Sequence, residues 1–194
     1  MTNPMRCQQV FRYCLALILF FSLAGLARAA DPSVQDKQNA ARKAAQETLS
    51  ALYKAQPGAK AAVDRAAGYA AFNNMGVKIL LAGSGNGSGV AVNNKSGKET
   101  FMKMLEVQAG LGLGIKQYRV IFVFETEKAL NSFINNGWDF SGQAAVAAKA
   151  GGKGDAYQGA LSVAPGVWVY QLTENGLAAE LAVKGTKYYK DTSM

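Results

Sequence analysis

The side chains in this chain best suited to acid–base or ionic chemistry are carboxylates and amines, because its 194 residues include no histidine and only two cysteines, Cys7 and Cys14. Without histidine the usual general base and the commonest metal ligand are missing, which excludes serine–histidine triads and ordinary zinc sites. Asp64, Glu106, Glu125, Asp139 and Glu180 are the possible acid–base groups, and none forms a recognisable pair with a nucleophile. Glu125 and Glu127 stand one residue apart near a predicted strand end, where helix capping explains them equally well. Carboxylate-only chemistry, as in glycoside hydrolysis, would need partners that meet only in the fold. The expectation is a non-enzymatic protein with no cofactor and no bound metal.

The amines suggest a different chemistry. Lys37, Arg42 and Lys43 decorate the first predicted helix, and Lys184, Lys187 and Lys190 lie near the C-terminus. A lysine or arginine close to an anionic surface contributes about 1 kcal/mol, so three or four together give weak, salt-sensitive adhesion. These six are the candidate lipid-binding residues.

The elements that must hold these residues begin after an N-terminal segment that reads as a secretory signal peptide over residues 1–29. Arg6 and Arg12 start it, an apolar stretch runs from Cys14 to Leu26, and Ala27-Arg28-Ala29 has the small-x-small pattern of a cleavage site. The expectation is export across the inner membrane of a bacterium, cleavage near Ala29, and residence in the periplasm or cell envelope. Both cysteines fall inside the segment, so the mature chain can form no disulfide. Removing Arg6, Arg12 and Arg28 leaves 18 basic residues against 13 acidic ones, a net charge of +5. In an exported protein, that balance points towards anionic lipid more than nucleic acid.

Residues 30–194 have the length of one domain, with a helical part over about 34–67 and a glycine-rich β part over about 68–190. From Val34 to Lys54 the chain is rich in strong helix formers, with an apolar side made by Val34, alanines, Leu49, Leu52 and Tyr53, and Pro57-Gly58 ends it. A shorter helix is predicted over Ala59 to Ala67. Glycine then recurs at every second position in two combs, Gly83, Gly85, Gly87 and Gly89, and later Gly110, Gly112 and Gly114. Neither comb completes the dinucleotide fingerprint, because Val90 and Ile115 stand where the third glycine should fall, and neither ends as a phosphate loop.

A period of two is the strand period, so each comb predicts a strand with one bare face, bent sharply or covered closely by a helix or a narrow interior. The stretch from Tyr118 to Phe124 predicts a central strand, with Tyr118, Val120, Phe122 and Phe124 on one side and Ile121 and Val123 on the other. Thr126 is placed to cap a short helix from Glu127 to Asn135 that Asn136-Gly137 closes. Residues 143–150 read equally as helix or strand. Asn175-Gly176 is a strong hairpin signal, and residues 185–194 predict a further edge strand bearing Lys187 and Lys190. Together these features predict an α+β fold, a strongly curved, mainly antiparallel sheet or partial β-barrel with an N-terminal helix and a short internal one.

Five stretches resemble the SYLF domain in their order and spacing. They are "GYAAFNNMG" from Gly68 to Gly76, the two glycine combs, "YRVIFVFETEKALNSF" from Tyr118 to Phe133, and "LTENGLAAELAVKGTKYY" from Leu172 to Tyr189. The resemblance runs from about Val34 to Tyr189. That family includes exported bacterial proteins and eukaryotic endocytic and trafficking proteins, in which the domain binds phosphoinositides and, in some fungal members, actin filaments. The resemblance implies recognition of anionic phospholipid headgroups. Asn73 stands where relatives commonly have proline, and Ser84, Asn86 and Ser88 make the first comb more polar than in many of them.

The leading expectation is therefore a module that binds anionic phospholipid or a membrane surface. A protein-interaction or scaffold module for another envelope protein has the same sequence signature. A small outer-membrane barrel would need at least about eight strands, apolar outward and polar inward, which the doubly apolar "RVIFVF" and two helical segments oppose. A carboxylate-based hydrolase is the remaining alternative. Oligomeric state is left open.

Overall fold

A computed structural model describes residues 31–140, 149–150, 157–178 and 185–194. The signal-peptide segment, Lys184 and most of the 143–150 stretch lie outside them. Helix α1 spans Val34–Ala55 and α2 spans Gly58–Arg65, with Pro57 just before it. Helix α1 buries Ala41, Ala45, Thr48 and Leu52, a stripe at spacings of four, three and four that lets the helix lie close to the sheet. Val34, expected on that stripe, is half exposed, because the buried face begins only two turns into the helix.

Two strands of 26 residues each dominate the sheet, β1 (Gly68–Asn93) and β2 (Glu99–Phe124). They pair antiparallel along their whole length, from Gly68 opposite Phe124 to Val92 opposite Glu99. Asn93 shapes the turn between them, its side-chain oxygen accepting from the N–H groups of Lys95 and Ser96 at 3.0 and 2.9 Å. A flat ribbon of this length would reach about 85 Å, far beyond an ordinary strand. Instead it is bent double. The register shifts by one residue where Leu80 faces Gly112 and Ala82 faces Ala109, the kind of irregularity that lets a strand turn a corner.

The first comb shows what it bends against. A Cβ on Gly89 would lie 2.5 Å from the Ala71 carbonyl oxygen, one on Gly87 3.0 Å from that of Asn73, one on Gly85 3.1 Å from that of Met75, and one on Gly83 2.9 Å from that of Val77. Each step of two along one arm of β1 is matched by a step of two backwards along the other. The bare face is thus covered by the strand's own first half, where the sequence led us to expect a helix or a hydrophobic interior. With the shorter strands, the ribbon makes a strongly curled antiparallel half-barrel, so the α+β expectation holds.

Strand β2 is the hub, as its doubly apolar pattern predicts. Helix α3 (Glu127–Asn136) follows it, with the Thr126 hydroxyl accepting from the Ala129 N–H at 3.2 Å and Gly137 at φ 70° closing the helix. The remaining strands are β3 (Trp138–Asp139), β4 (Lys149–Ala150), β5 (Leu161–Ala164), β6 (Val167–Thr173), β7 (Gly176–Leu177) and β8 (Thr186–Lys190). The last part of β2 pairs with β6, and its first part pairs with β8.

Two expectations need correction. Strand β8 lies between β2 and β3 and is not an edge; Trp138 faces Tyr188 and Asp139 faces Lys187. Burial of Tyr188 in the aromatic cluster pulls the strand inward. In the hairpin, Thr173 faces Gly176, so the loop is Glu174-Asn175, one residue earlier than expected, and Gly176 takes φ 102° after it. The two sides of β2 face separate cores. On one, Phe72, Phe122, Phe124, Phe133, Phe140 and Tyr188 pack together. On the other, Ala71, Ile121, Val123, Trp168 and Tyr170 lie with the buried residues of α1 and α2.

Candidate functional site

The basic residues singled out in the sequence do not all remain available. Arg42 on α1 is ion-paired, its Nε 2.7 Å from Glu99 Oε2 at the start of β2, with its guanidinium carbon 5.1 Å from the centre of the Phe101 ring. Its neighbour Lys43 lies 4.0 Å from Glu47 in a pair open to water, and Lys37 is exposed on the same helix. Lys187 and Lys190 are exposed on β8, where Lys187 faces Leu105 and Lys190 faces Met102. The structure therefore groups Arg42 with Lys43, and Lys187 with Lys190, on separate elements.

The more telling surface escaped the sequence reading. Met75, Val77 and Ile79 on β1 alternate with less exposed neighbours, and Leu105 and Val107 on β2 do the same. Val77 faces Ile115 across the ribbon, which puts both on one side of it. Ile79, Val107 and Ile115 are 63%, 65% and 73% exposed, a high value for three branched aliphatic side chains in paired strands. The bend in β1 near residue 80 and in β2 near residue 110 gathers these positions towards one end of the folded ribbon. Lys116, whose ammonium lies 5.5 Å from the Tyr118 ring centre, and Lys187 opposite Leu105 add positive charge along this region. Alternation at residues 75–79 was the signal that could have found it, but period two alone does not say which face the core takes.

A cleft of about 500 Å³ opens beside it, between the two arms of the ribbon. Asn74 and Gly87 lie in it together with Met104, Lys103 and Tyr189. Asn74 is 1% exposed, and among the described residues neither atom of its amide has a hydrogen-bond partner. Leaving such a group unpaired costs about 1–3 kcal/mol. Lys103 is held elsewhere: its ammonium lies 2.9 Å from the buried Asp191 carboxylate and 3.2 Å from the Ser193 hydroxyl. Burial works to raise the Asp191 pKa, but hydrogen bonds from Ser193 and Lys103 outweigh it and hold the carboxyl below its ordinary value.

Deeper in the ribbon the Tyr118 hydroxyl donates to Glu106 at 2.8 Å, joining the two arms of β2. Burial first, then Tyr188 and Glu106 nearby, pushes the Tyr118 pKa far up, and burial does the same to Tyr188. Both phenols thus stay protonated across the physiological range. Glu106 here acts as a structural acceptor for the Tyr118 hydroxyl. Among the described residues no three histidine, cysteine or acidic side chains gather as a metal cluster would. No described helix is long and apolar enough to cross a membrane.

A curled antiparallel half-barrel carried by one folded ribbon, with a long helix on its back, defines the chain as an α+β fold. Residues 105–194 match the family model Ysc84, described as "Las17-binding protein actin regulator". Over 148 residues the chain is 34% identical to "Beta cell expansion factor A" of Aeromonas veronii, covering 74% of this chain and 53% of that relative. The chain thus spans about half the length of the curated relative. It belongs to the SYLF family, as its ordered motifs suggested. Membership supports a lipid- or actin-associated module in general.

Proposed function

We propose that the chain is a non-enzymatic protein of the bacterial envelope that adheres to anionic phospholipid surfaces, with the bent end of the folded ribbon as its membrane-facing part. The carrying observation is the exposed aliphatic set of Ile79, Val107 and Ile115 with Met75, Val77 and Leu105 around it. Burying one such side chain yields about 1.5–3 kcal/mol, so two or three entering the interfacial region outweigh the cost of orienting a rigid strand pair. Lys116 and Lys187 contribute about 1 kcal/mol each against an anionic surface. The family's link to lipid and to actin regulation supports a surface-binding module. The apolar character of the exposed strands favours a lipid surface over a polar protein one. The signal-peptide pattern of residues 1–29 supports export, and with it a partner in the envelope.

Liposome co-sedimentation tests this reading, comparing neutral with anionic vesicles at low and high salt. Binding to anionic vesicles that falls on changing Ile79 and Val107 to serine supports it. Absence of binding to either vesicle at low salt overturns it and shifts weight to a protein partner.

A further inference from the structure

The outer face of the folded ribbon changes chemistry in step on three strand segments as it leaves the bent end. Along β1 the outward positions run Ile79, Val77, Met75 and then Asn73. Along the first part of β2 they run Val107, Leu105 and then Lys103, and along its later part Ile115, Gln117 and then Arg119. Val77 lies opposite Ile115, Met75 opposite Gln117 and Asn73 opposite Arg119, so on that arm both strands pass from aliphatic to polar over the same short span. On the other arm Leu105 lies opposite Asn86, and Lys103 opposite Ser88. The cleft between the arms opens at this boundary, because Met75 and Leu105 belong both to its wall and to the exposed aliphatic set. With that set in a membrane, the reading on which this inference rests, the mouth of the cleft stands among the lipid headgroups.

We infer that the cleft seats the headgroup of an anionic phospholipid that ends in a neutral polyol, as phosphatidylglycerol does, in preference to one that bears an amine. Its volume of about 500 Å³ lies within the span of ordinary ligand sites, about 300–1,000 Å³, and accommodates a glycerol unit with its phosphodiester. The amides of Asn73, Asn86 and Gln117 are exposed at its walls, and each both donates and accepts, as the hydroxyls of a polyol do. Ser88 adds a hydroxyl of the same kind. Tyr189, 37% exposed at one side, offers a ring face to the C–H groups of the headgroup and a hydroxyl to its oxygens.

Charge separates this headgroup from its competitors. The lining residues include no carboxylate, so the ammonium of a serine or ethanolamine headgroup would leave water without a counter-charge and meet Lys103 instead. Lys103, the cation that lines the cleft, is already engaged by the Asp191 carboxylate at 2.9 Å and the Ser193 hydroxyl at 3.2 Å. A polyol carrying further phosphates would therefore bring charge to a seat whose lining cation is already neutralised. A neutral polyol meets neither penalty. Its single phosphodiester charge stays at the membrane surface, where the adhesive reading already sets Lys116 and Lys187.

The test is co-sedimentation with two vesicle preparations at one salt concentration, phosphatidylglycerol or phosphatidylserine at the same fraction in phosphatidylcholine. The two lipids carry the same net charge, so electrostatic adhesion alone treats them alike. Wild type should bind the phosphatidylglycerol vesicles about fivefold more tightly or better, the worth of one net hydrogen bond. Asn86→Ala and Gln117→Ala should each narrow that preference, and the double variant should abolish it while its urea midpoint and its binding to phosphatidylserine stay those of the wild type. Equal or tighter wild-type binding to phosphatidylserine overturns the polyol seat and leaves adhesion standing. Absence of binding to both vesicles overturns adhesion, and the seat with it. A preference that survives in the double variant overturns the assignment to this cleft. So does an equal loss on both vesicles, which would make these residues part of a general contact surface.

Discussion

Gly87 lies so close beneath Asn74 that a single carbon added to the glycine would strike the amide oxygen. Two residues on, Gly89 meets the ring of Phe72 in the same way. The doubled ribbon therefore depends on missing side chains at set positions, and the effect of restoring them can be stated. Gly89→Ala has to displace a fully buried ring and a backbone carbonyl together, so it should destabilise the protein by about 1–3 kcal/mol. Gly114→Ala, with nothing within 4 Å of its added carbon, should be neutral or stabilise by up to about 1 kcal/mol. Urea midpoints for the two variants check the contrast, and equal losses would show that the arms are not in contact.

Much of this architecture was readable from period and end signals. The doubly apolar Tyr118–Phe124 segment specifies a strand with a core on each side, and Thr126 with Gly137 brackets helix α3, because each of these is a local requirement. The combs were readable as strands but not as one strand closing on itself. A bare face records only that something comes near, and the partner at Ala71 to Val77 is fixed by the bend. For the same reason the cleft was invisible: Asn73 and Asn86 stand 13 positions apart and share a wall only after the ribbon folds. The basic residues were visible but their partners were not, and Glu99 answers Arg42 from 57 positions away.

That pairing sets a prediction for helix α1. Arg42 and Glu99 are each about one-third exposed, so the ion pair and the Phe101 contact together should be worth about 1 kcal/mol. A double-mutant cycle with Arg42→Gln and Glu99→Gln should return a coupling below about 1 kcal/mol that weakens in high salt. Since its charge is committed, Arg42→Gln should leave vesicle binding close to wild type. A large loss of vesicle binding in that variant would return helix α1 to the membrane-facing surface.

Asp191 gives the protein an acid limit. Its folded pKa is lowered, so the stability it contributes is fully present above the unfolded value near 3.8 and is lost as pH falls through the folded value below it. Thermal unfolding followed from pH 6 to pH 2 should show this loss for the wild type, and Asp191→Asn should flatten it. Lys103→Ala, which strands a carboxylate with only 2% of its side chain exposed, should cost about 1–2 kcal/mol at neutral pH. The figure stays below that of a fully buried pair because Lys103 is 42% exposed.

The two halves of the adhesive surface should separate by salt. Lys116 on β2 and Lys187 on β8 are both exposed, so changing both to glutamine removes charge without disturbing the core. Such a variant should lose most of the salt-sensitive part of binding to anionic vesicles, about 1 kcal/mol per residue at low ionic strength, and keep the rest. Ile79→Ser with Ile115→Ser should do the reverse. These side chains are 63% and 73% exposed, so the fold gives up little, while vesicle binding at high salt should fall by tenfold or more. If the serine variant instead binds as the wild type does at every salt concentration, the aliphatic end does not enter the lipid, and charge alone would have to carry adhesion.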